Sequence, residues 1–467
     1  MENVLLPLLF SLSLLFLNPL FHGGIAIAAK TKDGLEEWGY VQVRPKAHMF
    51  WWLYKSPYRV KNPSKPWPII LWLQGGPGAS GVAIGNFEEI GPLDTNLKPR
   101  NSTWLQVADL LFVDNPVGTG FSFVEDLNLL VKSDREAATD LTVLLQKIFN
   151  RNKSLQESPL YIVAESYGGK FAVTLALSAL KSIEQGKLKL KLGGVALGDS
   201  WISPEDFVIS WGPLLKDLSR LDTINLKIAN RKAQEIKQQI RAGFYFNATN
   251  SWNDLEDFIS LKSGNVDFYN FLLNSGPDFS SITTSSATTK LSKVILLKKY
   301  SRYLNSLRSS PGGSGDSSGG DNFMDNIIRK KLKIIPNDIL FDAQSDSVFD
   351  EMEGDFMKPR INEVDELLAK GVNVTVYNGQ LDLICSTKGT EAWVEKLRWK
   401  GIHNFRTKER TPLFCGEGRA YKRVSPNHIR ICHFYWILEH GHFVPVDEPC
   451  ITLKMVRAIT QSPALFR

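Results

Sequence analysis

The chain is 467 residues long, with 43% hydrophobic and 22% charged residues. That balance excludes a disordered polymer and leaves room for one large domain or two smaller ones. The net charge of +6 is spread over the whole length with no dense Lys/Arg block, so nothing in it points to a nucleic-acid partner.

An apolar run over residues 4–21 gives way to small residues, with Ala26 and Ala28 in an A-x-A pattern. This reads as a secretory signal peptide over residues 1–28, although Glu2 is the only charged side chain ahead of the run. Asn18-Pro19 interrupts it short of the ~20 apolar residues that a membrane span needs. No later stretch is long and apolar enough, so no membrane attachment is expected once the leader is removed. The compartment this predicts is the secretory pathway, extracellular or vacuolar/lysosomal. Sequons at Asn101, Asn152, Asn247 and Asn373 fit glycosylation of such a chain, whereas Pro63 disqualifies Asn62.

Residues 66–73 (PWPIILWL) form a near-continuous apolar run ending in Gly75-Gly76-Pro77-Gly78, the pattern of a strand buried on both faces that meets a tight loop. Residues 109–116 (DLLFVDNP) repeat it. Ser133 and Glu136 form a capping box ahead of Ala137, Leu141, Leu144, Leu145 and Ile148, which share a helix face. LYIVA, at 160–164, is the next strand, followed after a turn at Ser166 by the mostly apolar helix FAVTLALSALKS. Further strands are LGGVALGDSW at 192–201, VNVTVYNG at 372–379 and HFYWIL at 433–438. The last helix carries Ile451, Met455, Ala458 and Ile459 on one face.

Strands alternating with helices over residues 29–201 and 364–467 predict an α/β fold with a mostly parallel central sheet and helices on both faces. Between these parts, residues 202–363 carry charged helical runs without strands. They are expected to be a helical cap inserted into the sheet domain, with a flexible Gly/Ser-rich loop at 308–322. Cys385, Cys415, Cys432 and Cys450 all fall in the last fifth of the chain. In an oxidising compartment they allow three pairings, among which spacing does not choose. With no C-x-x-C and no ligand rhythm in the neighbouring histidines, they do not suggest zinc.

Ser166 sits between a predicted strand and helix in A-E-S-Y-G, a variant of the G-x-S-x-G elbow of α/β-hydrolases in which Ala164 replaces the first glycine and Gly168 keeps the second. The pentapeptide alone is equally compatible with a structural turn. An elbow also needs oxyanion donors: the N–H of the next residue, here Tyr167, and one from the Gly75-Gly76 loop, where glycine lets backbone approach a reacting carbonyl. It further needs an acid and then a histidine downstream. Asp382 follows one predicted strand in NGQLDLIC, and His442 follows another in EHGHFVP. Taken singly, these are an ordinary loop acid and a solvated loop histidine. Order and strand-end placement together predict the triad Ser166, Asp382 and His442, with His440 a competitor two residues away. Triad chemistry requires no metal and no organic cofactor.

The blocks LWLQGGPGASG, DNPVGTGFSF, AESYGG, NGQLDLIC and GHFVPVDEP, in this order, resemble the signatures of the serine carboxypeptidase family. The resemblance covers about residues 38–462. GNFEEIGPLD and LGDSWISPEDFVISWGP are most similar to its retinoid-inducible branch and to plant serine carboxypeptidase-like proteins. It implies an α/β-hydrolase fold, Ser166 as nucleophile with Asp382 and His442, and an oxyanion hole of Gly76 and Tyr167. It also implies that Glu165, Glu89 and Gln74, lined by Trp72, bind the terminal carboxylate of a peptide or protein substrate. Two close carboxyls do not both ionise cheaply, so one keeps its proton above the ordinary Glu value of about 4.3 and donates to the ligand. A nucleophile then tolerates Glu165 beside it because, in acid, that neighbour is not a full anion.

The implied activity is release of C-terminal residues through an acyl-enzyme, with an acidic optimum. Acyl transfer from glucose esters, or an inert binding or protective homologue, are the alternatives. The chain departs from the family pattern at Gln74, where Asn is usual, at Ala79, where a disulfide-bonded cysteine is, and at Phe443, where Met is common. Glu439-His440 is a bulky charged pair in place of small residues. Cys385 matches a family cysteine that is usually unpaired. Residues 403–432 are the least family-like stretch.

Overall fold

The computed structural model describes residues 26–60, 65–275, 323–425 and 432–464. The expected Gly/Ser-rich loop at 308–322 lies outside the described residues, as do residues 1–25 of the expected leader. The leader boundary expected at residue 28 falls inside the first strand.

One sheet contains twelve strands: β1 (Ala26–Lys30), β2 (Glu36–Arg44), β3 (Ala47–Tyr54), β4 (Ile69–Leu73), β5 (Asp109–Val113), β6 (Phe123–Val124), β7 (Pro159–Glu165), β8 (Lys191–Gly198), β9 (Val374–Gly379), β10 (Thr411–Cys415), β11 (Gly418–Val424) and β12 (Cys432–Ile437). Their spatial order is β1-β2-β3-β5-β4-β7-β8-β9-β12-β11-β10, with β6 beside β3. From β5 through β12 every neighbouring pair is parallel. Both margins are antiparallel, β1-β2-β3 against β5 on one side and β11-β10 against β12 on the other. The predicted parallel sheet is thus the centre of a larger mixed one. Every residue of β4 and β5 is buried, as a strand covered on both faces requires.

The helices Asp134–Phe149 and Gly168–Glu184 pack on each other against this sheet. The Ser133 hydroxyl accepts the Glu136 N–H at 3.3 Å. The Glu136 carboxylate reaches past Ser133 to the Lys132 N–H at 2.8 Å, so the capping box closes one residue early. Between β8 and β9 the described residues form helices, among them Pro204–Asp217, Thr223–Arg241, Tyr245–Lys262, Asp346–Phe356 and Ile361–Ala369, and contain no strand. No helix of the described residues is long and apolar enough to cross a membrane.

The divergent stretch 403–432 builds structure of its own. It supplies most of the helix Ile402–Thr407 and the β10–β11 hairpin that extends the sheet beyond β12. A Cys415–Cys450 disulfide ties this hairpin to the final helix, Pro449–Thr460, and Cys385 and Cys432 are free and buried. Of the sequons, Asn101 and Asn247 are exposed. Asn152 is half-buried and caps a short helix by accepting the Ser154 N–H, and the Asn373 amide reaches the Gly193 carbonyl at 3.4 Å.

A buried charge network joins the inserted helices to the sheet domain. Arg360 donates to both oxygens of Asp134, at 2.7 and 2.5 Å, and Lys170 lies 3.9 Å from Asp134 and 3.6 Å from Asp355. Burial opposes ionisation of Asp355, but Lys170 and Arg360 outweigh it and hold that carboxyl below its usual range. Removing one partner from such a cluster leaves charge stranded away from water. Arg360→Ala is expected to lower the unfolding free energy by about 3–5 kcal/mol, read from urea denaturation. A loss under ~1 kcal/mol would mean that the network behaves as a solvated one.

Candidate active site

Parallel pairing sets the C-terminal ends of β4, β7, β8, β9 and β12 along one edge of the sheet. Gln74, Ser166, Asp382 and His442 follow four of those ends. Ser166 itself has φ of +59°, a left-handed conformation that costs a non-glycine residue roughly 1–2 kcal/mol. Neighbours hold it there: its N–H donates to the Gly198 carbonyl at 3.0 Å, and its carbonyl accepts from Trp201 N–H at 2.9 Å. Gly168 is required by the same turn, since a Cβ there would stand 2.3 Å from the Leu73 carbonyl oxygen.

The Asp382 carboxylate faces His442, with Oδ2 2.8 Å from Nδ1, and its Oδ1 accepts the Cys385 N–H at 3.1 Å. Both residues are fully buried, whereas Ser166 is half-buried at the edge. His442 Nε2 makes no hydrogen bond to the protein, so the Asp–His half of the expected chain is formed and the Ser–His half is not closed. His440 is turned away, its Nε2 3.1 Å from the Glu448 carboxylate, and Glu439 is exposed. The bulky pair therefore points outward from the buried imidazole.

Asp382, Cys385 and His442 bring possible donor atoms within 4.8 Å of one another. Asp382 and His442 spend their facing atoms on each other, and burial pushes the Cys385 thiol well up, away from the thiolate a metal takes.

The glycine loop after β4 closes over the serine. A Cβ on Gly75 would lie 2.5 Å from Ser166 Cβ and 2.9 Å from the Tyr167 nitrogen, so only glycine fits where the loop meets the elbow. Gly76, with φ of +103°, follows directly, and the Gln344 amide braces the loop by donating to the Pro77 carbonyl at 2.9 Å. Tyr167 is fixed from below: its hydroxyl reaches Asp355 Oδ2 at 3.2 Å and its ring stacks on Phe356.

Beside the serine lies a row of buried polar groups. Trp72 Nε1 donates to Gln74 Oε1 at 2.7 Å, which fixes the amide so that Gln74 Nε2 donates to Glu165 Oε1 at 2.9 Å. The indole stands where a Cβ on Gly85 would overlap it, so that glycine is what admits Trp72. Glu89, from the helical segment Gly81–Ile90, completes the row at 1% exposure. Neither Glu89 oxygen, nor Oε2 of Glu165, meets a protein donor, which is what two adjacent acceptors look like until a proton joins them. Burial, partly offset by Glu165 and Gln74, pushes the Glu89 carboxyl up to about 8. Burial and the Glu89 carboxyl drive Glu165 well above the usual range.

Sequence reasoning missed the grip of the inserted segment on this site. Leu383 and Ile384 donate to the Phe268 carbonyl at 3.0 and 2.9 Å, and His442 N–H donates to the Tyr269 carbonyl at 2.8 Å. The Tyr269 ring stands edge-on to the imidazole at 4.9 Å. Nothing in the local pattern of 268–271 marks it, because its role is to offer carbonyls to loops more than a hundred residues away. The sequence marks Gly75 only as part of a permissive loop and does not show the contact that requires glycine there. Asp199 carries no local signal.

Residues 28–462 match a family model described as serine carboxypeptidase. Serine carboxypeptidase-like 51 of Arabidopsis thaliana is 64% identical over 435 residues, covering 93% of this chain and 94% of the relative. Retinoid-inducible serine carboxypeptidase of Mus musculus is 46% identical, covering 94% and 95%, and that of Homo sapiens is 44% identical, covering 98% and 96%. The crystal structure of Kex1Δp, a prohormone-processing carboxypeptidase from Saccharomyces cerevisiae, superposes with a TM-score of 0.71 over 91% of each chain at 21% identity, a likeness of fold.

Proposed function

The chain belongs to the serine carboxypeptidase family, and on that premise we propose that it releases C-terminal residues from peptides through an acyl-enzyme on Ser166. In this reading Ser166 Oγ attacks the scissile carbonyl while His442 Nε2 takes its proton. Asp382 holds the Nδ1–H tautomer and stabilises the imidazolium. The Tyr167 and Gly76 N–H groups receive the oxyanion. His442 then protonates the leaving amine, and water repeats the sequence on the acyl-enzyme.

The observation that carries the choice of an exopeptidase is the acid pair. Three carboxyl oxygens of Glu89 and Glu165 are buried beside the elbow without a protein donor, in a row whose polarity Trp72 and Gln74 fix. A proton shared by the pair, with the Gln74 amide, makes a donor set for a peptide's terminal carboxylate. Gln74 spends its Oε1 on Trp72 and one N–H on Glu165, which leaves its second N–H for the ligand. With Glu89 pushed up to about 8, the pair keeps its proton throughout the acid range, and activity on peptides falls as it ionises. We place the protein in the secretory pathway, a reading supported by the Cys415–Cys450 disulfide and by the exposed sequons Asn101 and Asn247.

The test is a blocked dipeptide and a set of glucose esters offered side by side at pH 5, with an alcohol acceptor present. Release of the free C-terminal amino acid supports the proposal. Acyl transfer from the esters without peptide hydrolysis would replace it with the acyltransferase reading, and inertness toward both with that of a binding homologue.

A further inference from the structure

Asp199 takes no part in the mechanism above, yet its surroundings are built around it. It follows β8 directly, with φ of +41°. The carbonyl before it, on Gly198, accepts from Ser166 N–H, and its own N–H donates to the Tyr377 carbonyl at 2.9 Å. Its side chain is fully buried, Oδ1 accepts the Gly379 N–H at 2.8 Å, and Oδ2 meets no donor. Asp199 is therefore pinned between the elbow strand and the strand that leads to Asp382.

The titratable groups that face it are Asp382 and Cys385 on the loop after β9, Tyr377 on β9, Glu165 on β7 and Asp447 beyond His442. No lysine or arginine is among them. Burial, and then Asp382, hold the Asp199 carboxyl well above its ordinary range. Two adjoining buried carboxyls keep one proton between them, and the donors decide where it sits. Asp382 accepts from both Cys385 N–H and His442 Nδ1, and Asp199 from Gly379 N–H alone. The charge belongs on Asp382 and the proton on Asp199.

We propose that Asp199 is a protonated positioning residue whose Oδ2–H donates to Asp382, completing the donor shell of the carboxylate that orients His442. The proposal rests on the triad reading. Asp199 also lies within electrostatic reach of Glu165 and raises its carboxyl.

Covalent labelling of Ser166 by a fluorophosphonate tests it, since that probe carries no terminal carboxylate and does not call on the acid pair. Labelling rates are followed against pH for the parent, Asp199→Asn and Asp199→Ala. The alanine variant, which leaves Asp382 a donor short, is expected to label about tenfold more slowly. The asparagine variant, with an N–H toward Asp382 and an oxygen toward Gly379, is expected to recover most of that loss. Its midpoint of labelling against pH should stay within about 0.3 pH of the parent, one neutral group having replaced another. A midpoint displaced by about one pH or more would show that Asp199 is charged, and alanine labelling as fast as asparagine would show that no donor is needed. Either result overturns the proposal while the peptidase reading stands. If the alanine variant does not fold, the asparagine midpoint decides alone. A parent that takes no label overturns the triad reading and this proposal with it.

Discussion

Ser166→Ala is expected to lower kcat for hydrolysis of a blocked dipeptide by about 10⁴-fold or more, leaving KM within a few-fold of the parent. The residual rate comes from the oxyanion donors and from positioning, which the substitution leaves in place. KM holds because the groups proposed to grip the terminal carboxylate, Glu89, Glu165 and Gln74, do not depend on the serine hydroxyl. Stability should change by less than ~1 kcal/mol, because alanine adopts the φ of +59° about as well as serine and the elbow is held by backbone bonds. Nucleophile and base act as one unit, so Ser166→Ala combined with His442→Ala should cost little more than either alone. Steady-state kinetics on purified protein checks all three statements. A single variant retaining more than about 1% of parental kcat would remove Ser166 from the nucleophile's role.

Glu89→Gln with Glu165→Gln is expected to have two large effects of opposite benefit. For the parent, KM toward a free-acid peptide should rise about tenfold or more as pH passes 8, where Glu89 ionises and the pair meets the ligand carboxylate with a charge of its own. The double variant should lose this limb while binding less tightly in acid, having no ionisable proton to share. The second effect is on stability. Below the unfolded pKa of about 4.3 both states carry the proton and nothing distinguishes them. As pH rises past that value the unfolded chain releases its proton while folded Glu89 keeps it up to about 8, so stability falls across this window. At roughly 1.4 kcal/mol per pH, the loss is on the order of 5 kcal/mol by pH 8. The double variant escapes it. It should match the parent's denaturation midpoint near pH 4 and exceed it clearly at pH 8. Equal midpoints at both values would mean that these acids are not held protonated.

The centre of the sheet was legible because its strands are covered on both faces and therefore apolar throughout: IILWL of β4 and DLLFV of β5 have no solvent face to encode. The margins were not. β3 reads AHMFWWLY, buried throughout but for His48, and β2 carries Glu36, Glu37 and Arg44 at its ends, so neither shows a clean alternation. The β10–β11 hairpin lies in the stretch least like the family, where no signature block marks a strand. Its charges follow no single face: Arg419 is exposed, whereas the Arg423 guanidinium lies over the Phe405 and Trp436 rings.

The site was legible where chemistry dictates a residue type at a strand end, as at Ser166, Asp382 and His442. It was illegible where a residue serves by approach or by backbone. Gly75 matters for a missing side chain, Tyr269 for a carbonyl, and Asp199 for an oxygen whose neighbours come from strands far apart in sequence. His440 and His442 are indistinguishable in EHGHFVP. Only the loop's path, with His442 N–H held by the Tyr269 carbonyl, decides which ring is buried against Asp382.

We propose that a buried proton beside the nucleophile recognises the free end of a peptide. The most direct test is the ratio of kcat/KM for one blocked dipeptide as free acid and as C-terminal amide, measured from pH 5 to pH 9. The acid should be preferred by about 100-fold at pH 5, and the preference should collapse above pH 8 in the parent. A ratio near one at every pH, or a preference that survives unchanged in the Glu89→Gln, Glu165→Gln double variant, would contradict it.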